Sequence, residues 1–593
     1  QAGEGERRAN NQQPDRFIGR LVACSGIRGV IVAHAPPPTA PVRQRWSVGS
    51  LISLHTPSSR IVCFVYDMAS ANLSWSEGAN LLHVKIELVG EILDDPAGKP
   101  MFRRGISEYP TLGTPAHLIR HDDLASIYDL GARKTATIGT LAQDNTIPAA
   151  VSIDDMLKKH FAIVGSTGVG KSVSTSILLR KALEAKDSLR VLILDPHNEF
   201  TAPFRDVAMT LDANTLELPF WMFKFEEISD IIFRGRPAGE SEADFLRQAI
   251  VQAKAIYTSR TNAGNAPATI LKKAFSPDGS GATADTPVPY RIADIFKLIE
   301  EQIGKLEAKY DRVELRSLKD RLDQLWHDPR YRFMFGKASL EDTVEPLIAK
   351  LFRIPQSGFP VTVIQLAGIP SDVVNSVVSV LARIAFDLSM MSNGRYEILV
   401  VCEEAHRYVP ADEKRGFMPT RLALSRIAKE GRKYGCYLGV VTQRPGELDP
   451  TILSQCSTIF AMRLANDNDQ EIIRAAIPDS SAGVLTFLSS MSNREAIAFG
   501  EGVATPMRVR FQEVDLSLLP NNQQQERSDH TLTTGGLLDL RNIVERMRGQ
   551  SEAYAPPGYS ETIAAPLPPM PSAPTSTPLT GFGLTCFLTR FTP

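Results

Sequence analysis

Short apolar runs separated by turn residues fill the first ninety positions of the chain. They are FIGRLVAC from Phe17, GVIVAH from Gly29, LISLHT from Leu51, RIVCFVYDM from Arg60 and HVKIELVGEIL from His83. Val, Ile and Tyr enrichment at this spacing predicts strands, and strands so short and close predict a small antiparallel barrel. FRRGISEYPTLG and ATIGTLAQD follow as extended connecting pieces.

From His160 the texture changes. FAIVG, VLILD, VTVIQL, ILVVC and YLGVVTQ are nearly continuous apolar runs bounded by turn or polar residues. Such runs predict parallel strands buried on both faces. Helical periodicity lies between them, at Lys171–Glu184 and Val373–Met391, so a doubly wound α/β core is expected. The runs FAIVG and VTVIQL are about two hundred residues apart. Within that interval DFLRQAIVQAKAIYTSR, RIADIFKLIEEQIGKLEAKY and RSLKDRLDQLW read as helices, so a helical insertion is expected over about residues 223–352. A Gly/Ala/Asp-rich loop is expected near Ser276–Pro287. The boundaries that follow are a flexible N-terminus to residue 16, a barrel with connecting segment over 17–130, an α/β core over 131–520 and an extension over 521–593. In the extension only Gly536–Arg548 reads as an amphipathic helix. The last forty residues are rich in Pro, Ser and Thr, which predicts a disordered tail or a segment docking on a neighbour.

Composition changes this picture little. A chain of 593 residues exceeds what one hydrophobic core serves. Its 43% apolar and 22% charged residues are ordinary for a globular protein. A formal net charge of −2 gives no global signal for nucleic acid, although a ring can carry a basic lining behind an acidic exterior. The six cysteines form no C-x-x-C pair, which argues against zinc and disulfides and for a reducing cytoplasm. No apolar run approaches the roughly 20 residues of a membrane span, and the polar QAGEGERRANNQQPDR is not a secretory h-region.

The candidate chemistry starts at GSTGVGKS, comprising Gly165, Ser166, Thr167, Gly168, Val169, Gly170, Lys171 and Ser172, with Val173 next. It satisfies G-x-x-x-x-G-K-[ST] between an apolar run and a helical pattern. Glycines let backbone N–H groups close around phosphate oxygens, Lys171 faces the β/γ-phosphates, and the Ser172 hydroxyl is placed for Mg²⁺. A merely decorative glycine turn is disfavoured by that strand–loop–helix context. The stretch LVVCEEAH then supplies two carboxylates where its strand is expected to end at Cys402. A phosphate-loop hydrolase needs one acid near the metal, assigned to Glu403, and one to activate water, assigned to Glu404. Alone, this stretch would equally be an exposed acidic strand end. In VLILDPHNEF, Asp195 is a candidate for the metal's outer shell or for orienting water, supported by His197 and Glu199; Asp-Pro is also ordinary turn chemistry. Gln443 of YLGVVTQRP is placed to sense the γ-phosphate or water, with Arg444 structural. RIAKEGRKYG carries basic residues without acidic partners nearby in sequence. Arg432 is the preferred finger toward a neighbouring subunit's nucleotide, Arg426 and Lys429 the alternatives, and a solvated helix face the plain reading.

Together these residues resemble the HerA family of hexameric DNA-translocating ATPases, related to FtsK-type motors. The likeness runs through the N-terminal barrel, FRRGISEYPTLG, IGTLAQDNTIPAAVSIDDMLKKHFAIVGSTGVGKS, DPHNEF, CEEAH, EGRKYG, TQRP and GEGVATPMRVRF. It implies an α/β P-loop NTPase (RecA-like) core with a helical insertion, preceded by a small β-barrel. It implies ATP and Mg²⁺ on Lys171 and Ser172, Glu404 as the catalytic glutamate, and Arg432 reaching across an interface. DPHNEF departs from the family with Asn198 and Phe200 where Gly and Tyr are common. The partners implied are a homohexamer, double-stranded DNA through its central channel, and a separate effector, either a NurA-like or other nuclease or a sirtuin-like NADase. Arg234 and Arg236 of FRGRP are candidate channel residues, or else a solvated loop. Two functions then compete: a DNA translocase or helicase for end processing or antiphage defence, and a ring scaffold that licenses a toxic effector. A peptide unfoldase is disfavoured by CEEAH with TQRP and by the lack of an aromatic pore-loop signature.

Overall fold

A computed structural model of the chain describes residues 16–35, 46–71, 80–94, 99–233, 238–262, 282–305, 309–336, 339, 341–354, 358–476 and 487–519. All of them fall within one compact unit, Gln1–Ser528. Arg234, Arg236, the 521–593 extension with its expected helix, and residues 276–281 of the Ser276–Pro287 loop lie outside the described residues.

Seven strands precede the core: β1 (Phe17–Ser25), β2 (Arg28–His34), β3 (Leu51–His55), β4 (Arg60–Ser70), β5 (Leu81–Asp94), β6 (Pro100–Arg104) and β7 (Pro115–Leu118). Their order is β2-β1-β7-β3-β4-β5, and β2 also pairs with β5, which closes a six-stranded antiparallel barrel. β6 hangs on β5 outside that ring. Alternation puts Ile31, Ala33, Ile52, Leu54, Val65, Val84 and Ile86 inside, where they form a core of their own. Arg104 at the end of β6 ties the barrel down, donating to the carbonyls of Ala504 (2.7 Å) and Val503 (3.2 Å).

The larger sheet has eleven strands: β8 (Thr135–Leu141), β9 (Pro148–Ser152), β10 (Phe161–Val164), β11 (Leu189–Asp195), β12 (Ala208–Leu211), β13 (Val361–Gln365), β14 (Glu397–Glu403), β15 (Cys436–Thr442), β16 (Thr458–Ala461), β17 (Glu495–Gly500) and β18 (Met507–Phe511). The order is β12-β13-β11-β14-β15-β10-β16-β17-β18-β8-β9. The first seven in this order are parallel; from β16 onward the pairings are antiparallel. The sequence pattern foresaw the parallel centre, and GEGVATPMRVRF supplies the turn and second strand of the β17–β18 hairpin. The edge strand β12 went unread because AMTL is short and has no alternation.

The parallel strands read as continuous apolar runs because each feeds two cores. Ala162, Val164, Leu192, Leu194, Val400 and Cys402 face one cluster, while Phe161, Ile163, Val191, Ile193, Leu399 and Val401 face the other. The first cluster also takes the insertion, whose longer helices are Phe225–Phe233, Glu240–Asn262, Ile292–Gly304, Arg312–His327 and Val344–Phe352. The insertion is pinned to the helix Val374–Met391 through Glu227, which accepts from Ser379 (2.6 Å) and Arg383 (3.1 Å). That 18-residue helix has a mean hydropathy of 1.4 and is long and apolar enough to cross a membrane, yet 67% of it is buried within the protein. It is a core helix here.

Candidate active site

β10 ends at Val164 and the helix Lys171–Ala185 begins after six intervening residues, so Gly165–Gly170 must reverse the chain in a tight loop. Gly168 and Gly170 adopt φ of 77° and 102°, which explains why glycines stand there. Gly165 passes so close to Met462 that a Cβ would sit 2.7 Å from it. Neighbours hold the loop open: Ser166 N–H donates to Arg463 O (2.9 Å), and Arg494 N–H donates to Val169 O (2.8 Å). Lys171 is buried, its Nζ donating to Ser166 O at 3.1 Å. Burial lowers its pKa, while Glu404, Glu403 and Glu199 oppose that shift.

The two carboxylates of CEEAH part company through the backbone. β14 runs one residue beyond the expected end at Cys402, so Glu403 is still in the ladder, opposite Val441. Glu404 then turns left-handed, with φ 49°. Glu403 is buried, and its acidity is strongly weakened, by burial first and then by the carboxylates of Asp195 and Glu199. Its Oε2 has no hydrogen-bond partner among the described residues. Glu404 points toward the end of β15, accepting from Gln443 N–H (3.4 Å) with His406 Nδ1 also 3.4 Å away. His406 Nδ1 lies 3.0 Å from Thr442 Oγ1, so the strand end and the glutamate are knit together.

Asp195, fully buried at the end of β11, is spent on its own turn. Its oxygens accept from the backbone of His197 (3.2 Å), Glu199 (3.2 Å) and Phe200 (2.9 Å). That turn throws Glu199 forward to accept from the Ser172 hydroxyl. Gln443 reaches the loop from the other flank, accepting from Thr167 Oγ1. Thus Ser172, Glu199, Glu403, Glu404 and Gln443 meet around the phosphate loop. Arg444 does not join them; it pairs with Glu447 at 2.7 Å on the surface.

Arg432 lies elsewhere. The helix Met418–Glu430 leads into a 3₁₀ turn, Gly431–Tyr434, and then β15. A Cβ on Gly431 would meet Cys436 O at 2.2 Å, and Gly435 has φ 77°, so both glycines of EGRKYG are required by this turn. It stands at the start of β15, whereas Thr442 and Gln443 mark its other end. Seven residues at about 3.3 Å each put Arg432 roughly 20 Å from its own phosphate loop. It is exposed and has no ion-pair partner among the described residues. Arg426, by contrast, is engaged within the chain, 3.5 Å from Asp387 and with its guanidinium 4.2 Å from the centre of the Phe386 ring.

Residues 136–385 match the family described as "Helicase HerA, central domain". The chain is similar to HerA-type P-loop ATPases over this stretch. It is 27% identical over 417 residues to the DNA double-strand break repair helicase HerA of Saccharolobus solfataricus, covering 69% of this chain and 74% of that protein. A probable helicase of Methanocaldococcus jannaschii is 24% identical over 495 residues, covering 79% and 86% respectively. Among solved structures, VirB4 of Thermoanaerobacter pseudethanolicus aligns with a TM-score of 0.46 at 14% identity, over 66% of this chain and 99% of that one. The phosphate loop carries two contacts that the sequence did not announce, Arg463 and Arg494. They come from strand ends far along the chain, and neither sits in a recognisable motif.

Proposed function

We propose that the chain is a subunit of a cytoplasmic homohexameric ring that uses Mg-ATP to move double-stranded DNA through its channel. The likeness to relatives named DNA double-strand break repair helicases supports DNA as the cargo. The observation that carries the ring is the placement of Arg432. On the side of the loop where Glu199, Glu403, Glu404 and Gln443 gather, Lys171 is the one lysine or arginine among the described residues that the loop contacts show. Arg432 is exposed at the opposite end of β15, where it faces outward and can serve a neighbour.

Within one subunit the roles divide as follows. Lys171 and the N–H groups of the loop hold the phosphates. Glu404, held by Gln443 N–H and beside His406, accepts the proton of the attacking water. Gln443, touching both Thr167 and Glu404, senses whether a γ-phosphate is present. Asp195 shapes the turn that delivers Glu199. The donors Ser172 and Glu403 fit Mg²⁺, a hard cation that commonly takes one or two carboxylates plus phosphate oxygens. The buried, unpartnered Glu403 Oε2 is the atom such a cation would satisfy. When bound, the cation would neutralise phosphate charge. A separate effector docks on the barrel, a compact module outside the nucleotide site.

The reading is tested by ATPase rate with and without linear duplex DNA, together with native mass. Stimulation by DNA in a six-subunit particle is expected. A monomer, or turnover indifferent to DNA, would contradict it.

A further inference from the structure

The nucleotide has two ends, and the groups above serve one of them. Glu199, Glu403, Glu404 and Gln443 all come from the ends of β11, β14 and β15, which lie on one side of β10 in the sheet. A phosphate chain threading the loop with its γ end on that side must leave toward β16, β17 and β18. Arg494 stands there, immediately before β17.

Its backbone is held at both polar groups. Arg494 N–H donates to Val169 O (2.8 Å), and its carbonyl accepts from Phe511 N–H (3.0 Å). These bonds fix φ at 62°, a left-handed conformation that glycine adopts freely and arginine does not. The side-chain stem then crosses the loop glycine: a Cβ on Gly170 would meet Arg494 Cγ at 3.1 Å. Arg463 braces the approach, bonding Asn493 Oδ1 (3.2 Å) and Met491 O (3.5 Å) while its own carbonyl receives Ser166 N–H. The side chain is 41% exposed, and among the described residues its guanidinium is held only by Glu513 at 3.5 Å, whose side chain is 89% exposed. A strained backbone thus presents a loosely tethered cation beside the N-terminus of the Lys171–Ala185 helix, on the nucleoside side.

We propose that Arg494 binds the α-phosphate of the nucleotide in its own subunit, exchanging Glu513 for the phosphate. The inference rests on the phosphate loop's holding nucleotide, and it adds a cis contact present in both the ATP and the ADP states. Glycine is the informative substitution, because Arg494→Gly adopts the same backbone conformation without strain and removes the side chain, stem and guanidinium together. Binding of a fluorescent ADP to the full chain should weaken about tenfold in Arg494→Gly, the loss of one charge-assisted contact. Arg494→Lys should recover part of it. Amide exchange across Gly165–Ser172 in the nucleotide-free protein should be unchanged in Arg494→Gly. ADP affinity equal to wild type in Arg494→Gly would overturn the assignment. So would a weakened affinity accompanied by faster exchange in the loop, which would make Arg494 a brace for the loop's shape. A wild type that binds no ADP would overturn the phosphate-loop reading beneath it.

Discussion

Glu404 leaves the end of a strand in a conformation that costs a non-glycine residue on the order of 1 kcal/mol or more. That turn is what aims two adjacent carboxylates at different places, one buried beside Asp195 and one at the end of β15. Their substitutions should therefore separate. Glu404→Gln should bind ATP normally and lose hydrolysis by about 10²–10⁴-fold, the usual worth of a positioned base. Glu403→Gln should weaken Mg²⁺-dependent nucleotide binding by about 10–100-fold. It should also raise the melting temperature of the nucleotide-free protein, since it replaces a carboxyl whose ionisation is opposed by burial first and then by Asp195 and Glu199. Equilibrium binding with and without Mg²⁺, beside single-turnover hydrolysis, distinguishes the two; the reverse pattern would exchange their roles. Lys171→Ala should abolish hydrolysis, because no other ammonium enters the loop among the described residues, and near-normal turnover would remove the assignment. At this scale the sequence was legible where residues sit in one contiguous motif, as in GSTGVGKS and CEEAH. It was silent on Arg463 and Arg494, because what brings them to the loop is sheet order. It also left Asp195 open: the three backbone N–H groups that occupy its carboxylate depend on the Asn198 turn, at φ 57°, which no pattern of types announces.

Among elements, the helix Met418–Glu430 and strand β10 are joined by a buried histidine. His160 Nε2 lies 3.0 Å from Ala428 O, and its Nδ1 accepts from Leu438 N–H at 2.9 Å. Burial pushes its pKa down to about 4. The folded protein thus takes up this proton less readily than the unfolded chain, so the stability contributed is full above about pH 6.5. It is lost as pH falls from there toward 4. His160→Asn, which tolerates the φ of 59°, should show a smaller drop in melting temperature between pH 7 and pH 5 than the wild type. The difference should correspond to about 2 kcal/mol at most. Equal pH slopes would show that His160 does not titrate on unfolding. In the insertion, Lys254 donates to the carbonyls of Thr283 (3.2 Å), Ala284 (2.6 Å) and Thr286 (2.7 Å). Lys254→Met should strand those acceptors and speed amide exchange around residues 283–290 by about 100-fold. Exchange in the Lys171–Ala185 helix should stay as it was. Element types were readable from the two apolar periods. The antiparallel flank was less so, because β8 pairs with β18 across 370 residues, Thr140 opposite Arg510.

For the whole molecule, the sheet separates what a single subunit can do from what it cannot. One end of β15 delivers Gln443 to the phosphate loop, and the other presents Arg432 roughly 20 Å away. Arg432→Ala should still bind ATP and assemble, yet lose about 10³-fold or more in hydrolysis. Glu404→Gln should be inactive for a different reason. The decisive measurement is ATPase activity of the two inactive variants mixed under conditions where subunit exchange is verified. Some interfaces in the mixture pair an intact Glu404 with an intact Arg432, so turnover should reappear and peak near equal proportions. Exchange without any recovered turnover would contradict a site shared between subunits.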